Sequence, residues 1–515
     1  MNANPVPNQC IDIIVAQLIS EGISHLFATT DSNVFTKLDN SATNFNILTS
    51  ACPKTITACA MGYSQACLKT SIVFLKDYAQ FLEAYPAIYS ANLTNIPLIV
   101  IYFEDFSQEL YHNFNLAKPA KHHIIINNLE NLTYSLRNGF FQAGCLPRGP
   151  ISIRINQQLL NNQVDSYLAY LPPQTNSFNP PDLNFIKKIA QVLFNANSPT
   201  IIVGDEINQC GARREVESLA KILAASVYGE AIYTSVNFST NHEFFLGHLQ
   251  DDLKYNQAIL DKHDVILLIG VKNPQITFIE NLQYMQNQKI IIQLNLDFNN
   301  IIATIPSYLN LIADIAASCL KIQNEIQALI NKNWLDQASA RKNNIITQNL
   351  TLLKALKANE TQSFNALARF LNNLSVIKPA QDPLVACQSL KIHNYSIGFA
   401  WTSSSSYYSL NTNGNGLELG QAIGISLACN SSQSVVVLAS AKAITQFINP
   451  WFLALNHGLN IKFIFLTPKN LKSLDDYFKY LQIESFHLSK DINVNLKKLF
   501  DNHERPQAIN IVLEK

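Results

Sequence analysis

Apolar residues along the chain fall into two alternating patterns, one at helical spacing and one in short continuous runs. Ile11, Ile14, Val15, Leu18 and Ile19 recur at helical spacing over 9–19, and Gly22 supplies a stop. Short runs at 25–28, 71–75 and 98–102 predict strands, the last two flanking a helix around 81–91. A cluster of helix-capping residues, Thr29-Thr30-Asp31-Ser32-Asn33, precedes the apolar stretch 34–38. Arg148-Gly149-Pro150 reads as a turn feeding a further strand through Ile155. Strands and helices alternating at this length imply a parallel sheet covered on both faces.

The pattern then breaks and restarts twice. Pro172, Pro173, Pro180 and Pro181 punctuate a polar linker over 171–181. Beyond it come a helix at 183–194, a strand at 200–203 ending at Gly204, a helix near 216–225, a strand at 265–269 ending at Gly270, and a strand at 289–294. This second unit ends near 330, and a polar helical segment over 331–362 crosses to a third. No repeat of 20 to 50 residues is visible. The predicted fold is α/β, three successive doubly wound domains built on parallel sheets.

The third unit opens on Asn413-Gly414-Asn415-Gly416-Leu417-Glu418-Leu419-Gly420-Gln421-Ala422-Ile423-Gly424, whose glycines allow close approach to a ligand or a second backbone. A helix over 417–428 and a buried strand over 434–438 follow. Open α/β sheets place their chemistry beyond the carboxyl ends of their strands. There the chain reads Ala439-Ser440-Ala441-Lys442, and a second strand at 461–466 ends in Thr467-Pro468-Lys469-Asn470.

Composition narrows the function classes. A hydrophobic content of 48% over 515 residues is ample for several cores and excludes a disordered chain. With 37 basic and 37 acidic residues and no basic stripe, nothing points to nucleic acid. No apolar run reaches the length of a membrane span, and the first residues carry no pattern of a secretory signal. Nine cysteines without a C-x-x-C pair read as reduced packing thiols, and the expected setting is cytoplasmic.

Other constellations carry less. Asp205-Glu206 follows a strand and Gly204, where a nucleotide would lie, yet no G-x-G-x-x-G is present, and the pair reads as surface carboxylates. His122 and His123 precede the apolar run 124–126, away from any strand end. No nucleophile elbow and no zinc-type spacing occurs.

The three-unit layout resembles the thiamin-diphosphate-dependent decarboxylase and carboligase family of the acetolactate synthase and benzoylformate decarboxylase type. Gly62-Tyr63-Ser64-Gln65 is similar to that family's Gly-Tyr-Ala-Arg, Asn95-Ile96-Pro97-Leu98-Ile99-Val100-Ile101 to its Pro-Leu-Val-Val-Ile strand, and Asp264-Val265-Ile266-Leu267-Leu268-Ile269-Gly270 to a strand of its central domain. The resemblance implies a pyrimidine-binding-like domain at 1–170, a central domain at 182–330 and a diphosphate-binding-like domain at 361–515. It also implies a homodimer or homotetramer, because the family's cofactor lies between the first domain of one subunit and the third of another.

Position by position, the family's cofactor set is missing. Its pyrimidine-binding glutamate falls at Pro53, nine residues before Gly62, and the apolar residue that props the cofactor falls at Asn415. Its two metal ligands fall at Ser440 and at Pro468 or Thr467. Mg²⁺ wants oxygen ligands including a carboxylate, and losing a ligand charge near 4 Å forfeits roughly 4 kcal/mol at an effective dielectric of 20. The small loop after the first-domain strand is replaced by Lys76-Asp77-Tyr78-Ala79. The resemblance with these losses implies a chain without the cofactor that acts by binding a protein partner or by regulation. The alternative is an active lyase or carboligase on a 2-oxo acid, with thiamin diphosphate and Mg held at Gly414, Asn415, Gly416, Ser440, Ala441 and Lys442. A competing reading has the Lys442 ammonium replace the metal and retain a phosphorylated ligand.

Overall fold

The computed structural model describes residues 10–32, 45–105, 119–162, 171, 179–272, 289–301, 307–362, 366–390, 392–410, 416–429, 433–468, 474–488, 492–501 and 506–513. The stretch 34–38, most of the linker, Gly414, Asn415, Lys469 and Asn470 lie outside them. Three six-stranded sheets organise the chain, and every strand pair whose register is resolved runs parallel.

The first sheet contains β1 (His25–Thr29), β2 (Asn46–Ser50), β3 (Ser71–Leu75), β4 (Leu98–Glu104), β5 (His122–Ile126) and β6 (Pro150–Asn156), in the order β2-β1-β3-β4-β6-β5. β3 is buried along its whole length, as expected of a strand covered on both faces. Helices Cys10–Ser20 and Leu132–Gly144 pack together on a core that includes Ile14, Leu18, Phe74, Ile101, Leu136 and Ile153.

The second sheet contains β7 (Pro199–Val203), β8 (Ser226–Gly229), β9 (Phe245–His248), β10 (Val265–Ile269), β11 (Ile290–Asn295) and β12 (Leu309–Ile312), in the order β12-β11-β10-β7-β8-β9. This is the doubly wound order in which the first and fourth strands lie side by side, so the crevice falls between β7 and β10. The Asp182 carboxylate caps helix Leu183–Phe194 by accepting from the Asn184 and Phe185 N–H groups at 2.8 and 3.1 Å. Such a cap contributes about 1 kcal/mol.

The third sheet contains β13 (Leu384–Ala386), β14 (Tyr407–Ser409), β15 (Val435–Ser440), β16 (Ile461–Pro468), β17 (Glu484–His487) and β18 (Gln507–Leu513), in the order β14-β13-β15-β16-β18-β17. With strands renumbered from its own start, that order repeats the first sheet's. Along the chain, a sheet of one topology is followed by one of another and then by a repeat of the first. Contact density divides the chain into a unit of 1–176, 410–465 and 502–508, and a unit of 177–409, 466–501 and 509–515.

Within the first unit, helix Pro53–Cys67 crosses helix Leu417–Ala428 so closely that backbone meets backbone. A Cβ at Gly424 would lie 1.8 Å from the Cys59 carbonyl oxygen, one at Gly62 would lie 1.9 Å from the Gln421 carbonyl oxygen, and one at Gly420 would lie 2.7 Å from the Ala58 Cβ. No rotamer change relieves a clash with backbone. Gly424→Ala is expected to destabilise the protein by about 3 kcal/mol, by forcing the helices apart. Gly144→Ala, at a helix end with nothing within 4 Å of the added carbon, should stay within about 0.5 kcal/mol of the parent. Chemical denaturation of the two variants checks the contrast, and equal stabilities would show that the helix contact is not tight.

Candidate functional site

Pro53 is the buried first residue of its helix, where a fixed φ and a missing N–H suit a helix start. The residue before it, Cys52, offers no side-chain cap. The Gly-Tyr-Ser-Gln run lies on the same helix, and packing explains each member. Gly62 touches the Leu417–Ala428 backbone, Tyr63 Oη shares a 2.9 Å hydrogen bond with His25 Nδ1, the Ser64 hydroxyl donates to the Lys69 carbonyl at 2.6 Å, and Gln65 Oε1 accepts from Gln421 Nε2 at 2.5 Å.

Gly416 stands at the N-terminus of helix Leu417–Ala428 with φ +74°, a conformation that favours glycine. A Cβ there would lie 2.8 Å from the Phe447 Cβ and 3.0 Å from the Ala443 carbonyl. β15 runs two residues past the predicted end, so Ser440 is its last residue and also the cap of helix Ala441–Gln446. The Ser440 hydroxyl accepts from the Lys442 N–H at 3.4 Å. Ala441 is buried, and Lys442 projects outward while its carbonyl accepts from Thr445 Oγ1 at 2.8 Å. Ser440, Ala441 and Lys442 lie at the start of helix Ala441–Gln446, whereas Gly416 starts another helix and lies against Ala443 and Phe447.

The other metal-ligand position is occupied differently. Thr467 is buried and donates from Oγ1 to Asn510 Oδ1 at 2.6 Å, and Asn510 Nδ2 in turn donates to Ser485 Oγ at 3.0 Å. Pro468 ends the strand exposed. Among the described residues no group of three or more His, Cys, Asp or Glu side chains is placed to hold a metal ion. The donor set at Ser440, Thr467 and Pro468 does not fit a diphosphate-bound Mg²⁺, which needs anionic oxygen ligands.

The carboxyl ends of β1 and β3 are closed by side chains of the protein itself. Gln80 Nε2 donates to both Asp31 carboxylate oxygens at 2.8 and 3.0 Å, and its Oε1 accepts from Thr29 Oγ1 and the Lys76 N–H. Lys76 Nζ lies 3.6 Å from Asp31, and Asp77 caps the following helix by accepting from the Gln80 N–H. The charged loop 76–79 therefore belongs to a hydrogen-bonded network at the carboxyl ends of β1 and β3. His123 shares a 2.7 Å hydrogen bond with Ser152 on β6, and His122 points outward on edge strand β5.

The surface reading of Asp205-Glu206 is overturned, since both residues are buried. Asp205 accepts from the Thr234 N–H and hydroxyl and from Asn237 Nδ2 at 2.7 to 3.0 Å. Glu206, 0% exposed, accepts from Asn300 Nδ2 at 2.6 Å, the Leu296 N–H at 2.7 Å, and Asn295 Nδ2 and the Asp297 N–H at 3.2 Å. Glu230 accepts from the Asp205 and Lys272 N–H groups, and burial first, then Asp205, pushes its carboxyl well above the usual range. Three carboxylates fill the crevice at β7 and β10 where a nucleotide would approach. A phosphate would meet carboxylates rather than free N–H donors.

One residue escaped the sequence reading. Glu418 is 4% exposed, and its Oε1 has no hydrogen-bond partner. Burial raises its carboxyl to about 7 against an opposing pull from Lys54, whose ammonium rests 4.4 Å over the Phe447 ring. A lone acid in an otherwise apolar, glycine-bearing helix was the only available signal.

Comparison with known proteins gives this geometry its context. Residues 186–322 match the family model of the thiamine pyrophosphate enzyme central domain. An acetolactate synthase large subunit from Buchnera aphidicola is 24% identical over 319 residues, 59% of this chain and 55% of the relative. The chain is similar to thiamin-diphosphate-dependent enzymes, and the family model covers its central part. The chain spans about half the length of the curated relatives it matches. Solved structures of a benzoylformate decarboxylase from Polynucleobacter necessarius (TM-score 0.78, 16% identity, 98% of both chains) and a 4-hydroxybenzoylformate decarboxylase from Rhodococcus jostii (TM-score 0.77, 16% identity, 98% of this chain and 99% of that one) share its fold. At that identity the likeness concerns the fold alone.

If the crevice carboxylates act as internal acceptors, Glu206→Ala should destabilise the protein by about 3 kcal/mol, because four donors lose their acceptor in a buried setting. Thermal unfolding measures this, and a change under about 0.5 kcal/mol would show that water reaches those donors.

Proposed function

We propose that this chain is a member of the thiamin-diphosphate family that has lost metal-dependent cofactor binding and works by binding, as a regulatory or partner subunit assembled as a homodimer or homotetramer. The observation that carries the reading is the fate of the two ligand positions. The Ser440 hydroxyl caps its own helix, and the Thr467 hydroxyl is committed to Asn510 in a buried chain. Pro53 adds no hydrogen-bonding side chain where the family has a glutamate. Among the described residues no helix is long and apolar enough to cross a membrane, and the setting we infer is cytoplasmic.

A second reading is favoured by the whole-chain correspondence with two decarboxylases. On that reading the chain is a lyase or carboligase acting on a 2-oxo acid, with the diphosphate of thiamin diphosphate met by the Lys442 ammonium beside Gly416 and Ser440.

Calorimetric titration of the folded protein with thiamin diphosphate, with and without Mg²⁺, separates the two. No heat at millimolar ligand is expected. Saturable binding, together with 2-oxo acid turnover that Lys442→Ala abolishes, would establish the second reading instead.

A further inference from the structure

The carboxyl ends of β7, β8 and β9 surround a small cavity that the crevice carboxylates do not fill. Val203, Gly229 and His248, the last residues of those strands, line it together with Asn237 and Thr240 from the loop after β8 and Trp401 from the segment leading to β14. The space among them is about that of one water molecule. A Cβ at Gly229 would lie 2.1 Å from the His248 Cδ2, so glycine at that strand end is what admits the imidazole.

The walls are held by bonds between the loop and the segment. The Thr240 N–H donates to the Trp401 carbonyl at 3.0 Å, the Trp401 N–H donates to Thr240 Oγ1 at 2.9 Å, and the Ser409 N–H donates to the Thr234 carbonyl at 3.0 Å. His248 Nδ1 shares a 2.8 Å hydrogen bond with Ser396 Oγ, and its ring stacks on Tyr233 with centroids 4.1 Å apart. The Trp401 indole stacks on both Phe399 and Tyr407, with centroids 5.3 and 4.5 Å away. These contacts leave the indole little freedom to turn toward another acceptor.

One group in this framework is unmatched. Trp401 is 2% exposed, and its Nε1–H is buried with no acceptor among the described residues. Trp334, by contrast, donates from Nε1 to the Phe194 carbonyl at 3.1 Å. An indole N–H can only donate, and a buried donor without an acceptor is costly. Acceptor capacity is present in the lining. Thr240 Oγ1 gives its hydrogen to the Phe399 carbonyl and accepts from the Trp401 N–H, which leaves it one lone pair; Asn237 Oδ1 accepts from Ser235 Oγ at 3.3 Å and keeps another.

We propose that this cavity binds a single water molecule, which accepts from the Trp401 Nε1–H, returns its own hydrogens to acceptors in the lining, and so joins the loop 230–240 to the segment 396–409. Size excludes an organic ligand, and charge selects among the small ones. No lysine or arginine lines the cavity, and the Asp205 carboxylate stands behind Asn237, accepting from its Nδ2 at 3.0 Å, which disfavours an anion. A cation would meet the positive end of the indole N–H. Water alone can both accept from the indole and donate to the oxygens, and a buried water with such partners is a lasting part of a fold. This inference concerns the central sheet and stands apart from the fate of the metal-ligand positions.

A high-resolution crystal structure of the full chain tests it. A density peak is expected in the cavity at about 2.7–3.2 Å from Trp401 Nε1, and it should be lost in Trp401→Phe. An empty cavity in the parent, a peak that persists unchanged in Trp401→Phe, or an anomalous peak there after a bromide soak would each overturn the proposal, the last by assigning the site to an anion. Should the phenylalanine variant fail to fold, the parent decides in solution. With the tryptophans labelled at the indole nitrogen, one indole N–H besides that of Trp334 should show a cross-peak to a long-lived water, and the lack of any such cross-peak overturns the site.

Discussion

The closest constraint in the molecule is the backbone contact between helices Pro53–Cys67 and Leu417–Ala428. Gly424 lies against the Cys59 carbonyl and Gly62 against the Gln421 carbonyl, with no room for a methyl group at either. This explains why a glycine-rich frame persists when the ligand residues around it do not. A glycine held by a ligand becomes free to vary once the ligand is gone, whereas a glycine held by another backbone stays restricted while the fold exists. The same holds for Gly416, which combines a left-handed φ with close contact to Phe447 and the Ala443 carbonyl. The glycines that look like a cofactor signature are here requirements of packing.

A second regularity joins the separate parts of the chain. At three places among the described residues, polar groups at strand ends are satisfied from within. Asp31, Lys76 and Gln80 close the carboxyl ends of β1 and β3, Asp205, Glu206 and Glu230 fill the crevice of the second sheet, and Thr467 with Asn510 and Ser485 does the same beside the third. Buried polar atoms with complete partners have nothing to gain from a ligand unless it returns every hydrogen bond it displaces. In the crevice at β7 and β10 a phosphate would also have to approach carboxylates at a low effective dielectric.

What the sequence disclosed follows from what each signal depends on. β3, β7 and β10 are continuous apolar runs because both of their faces are covered, and they were legible for that reason. β8, β9 and β12 to β14 span three or four residues, too short for a period to register. Ser440 was placed just beyond a strand that in fact reaches it, because a small polar residue ends an apolar run without ending the ladder. Asp205 and Glu206 were misread as surface residues because their partners, Thr234, Asn237, Asn295 and Asn300, lie 29 to 94 positions away. Local composition cannot show that a carboxylate will be supplied with donors from so far along the chain.

Glu418 is harder to account for, since hydrophobic patterning alone would place an apolar residue there. Removing a buried acid from such a helix would normally stabilise it, because the desolvation of an unpaired carboxyl is not offset by its single distant ammonium. A cavity-filling apolar side chain would meet the packing requirement equally well. Packing therefore does not select the acid at 418, just as it does select the glycines at 62 and 424.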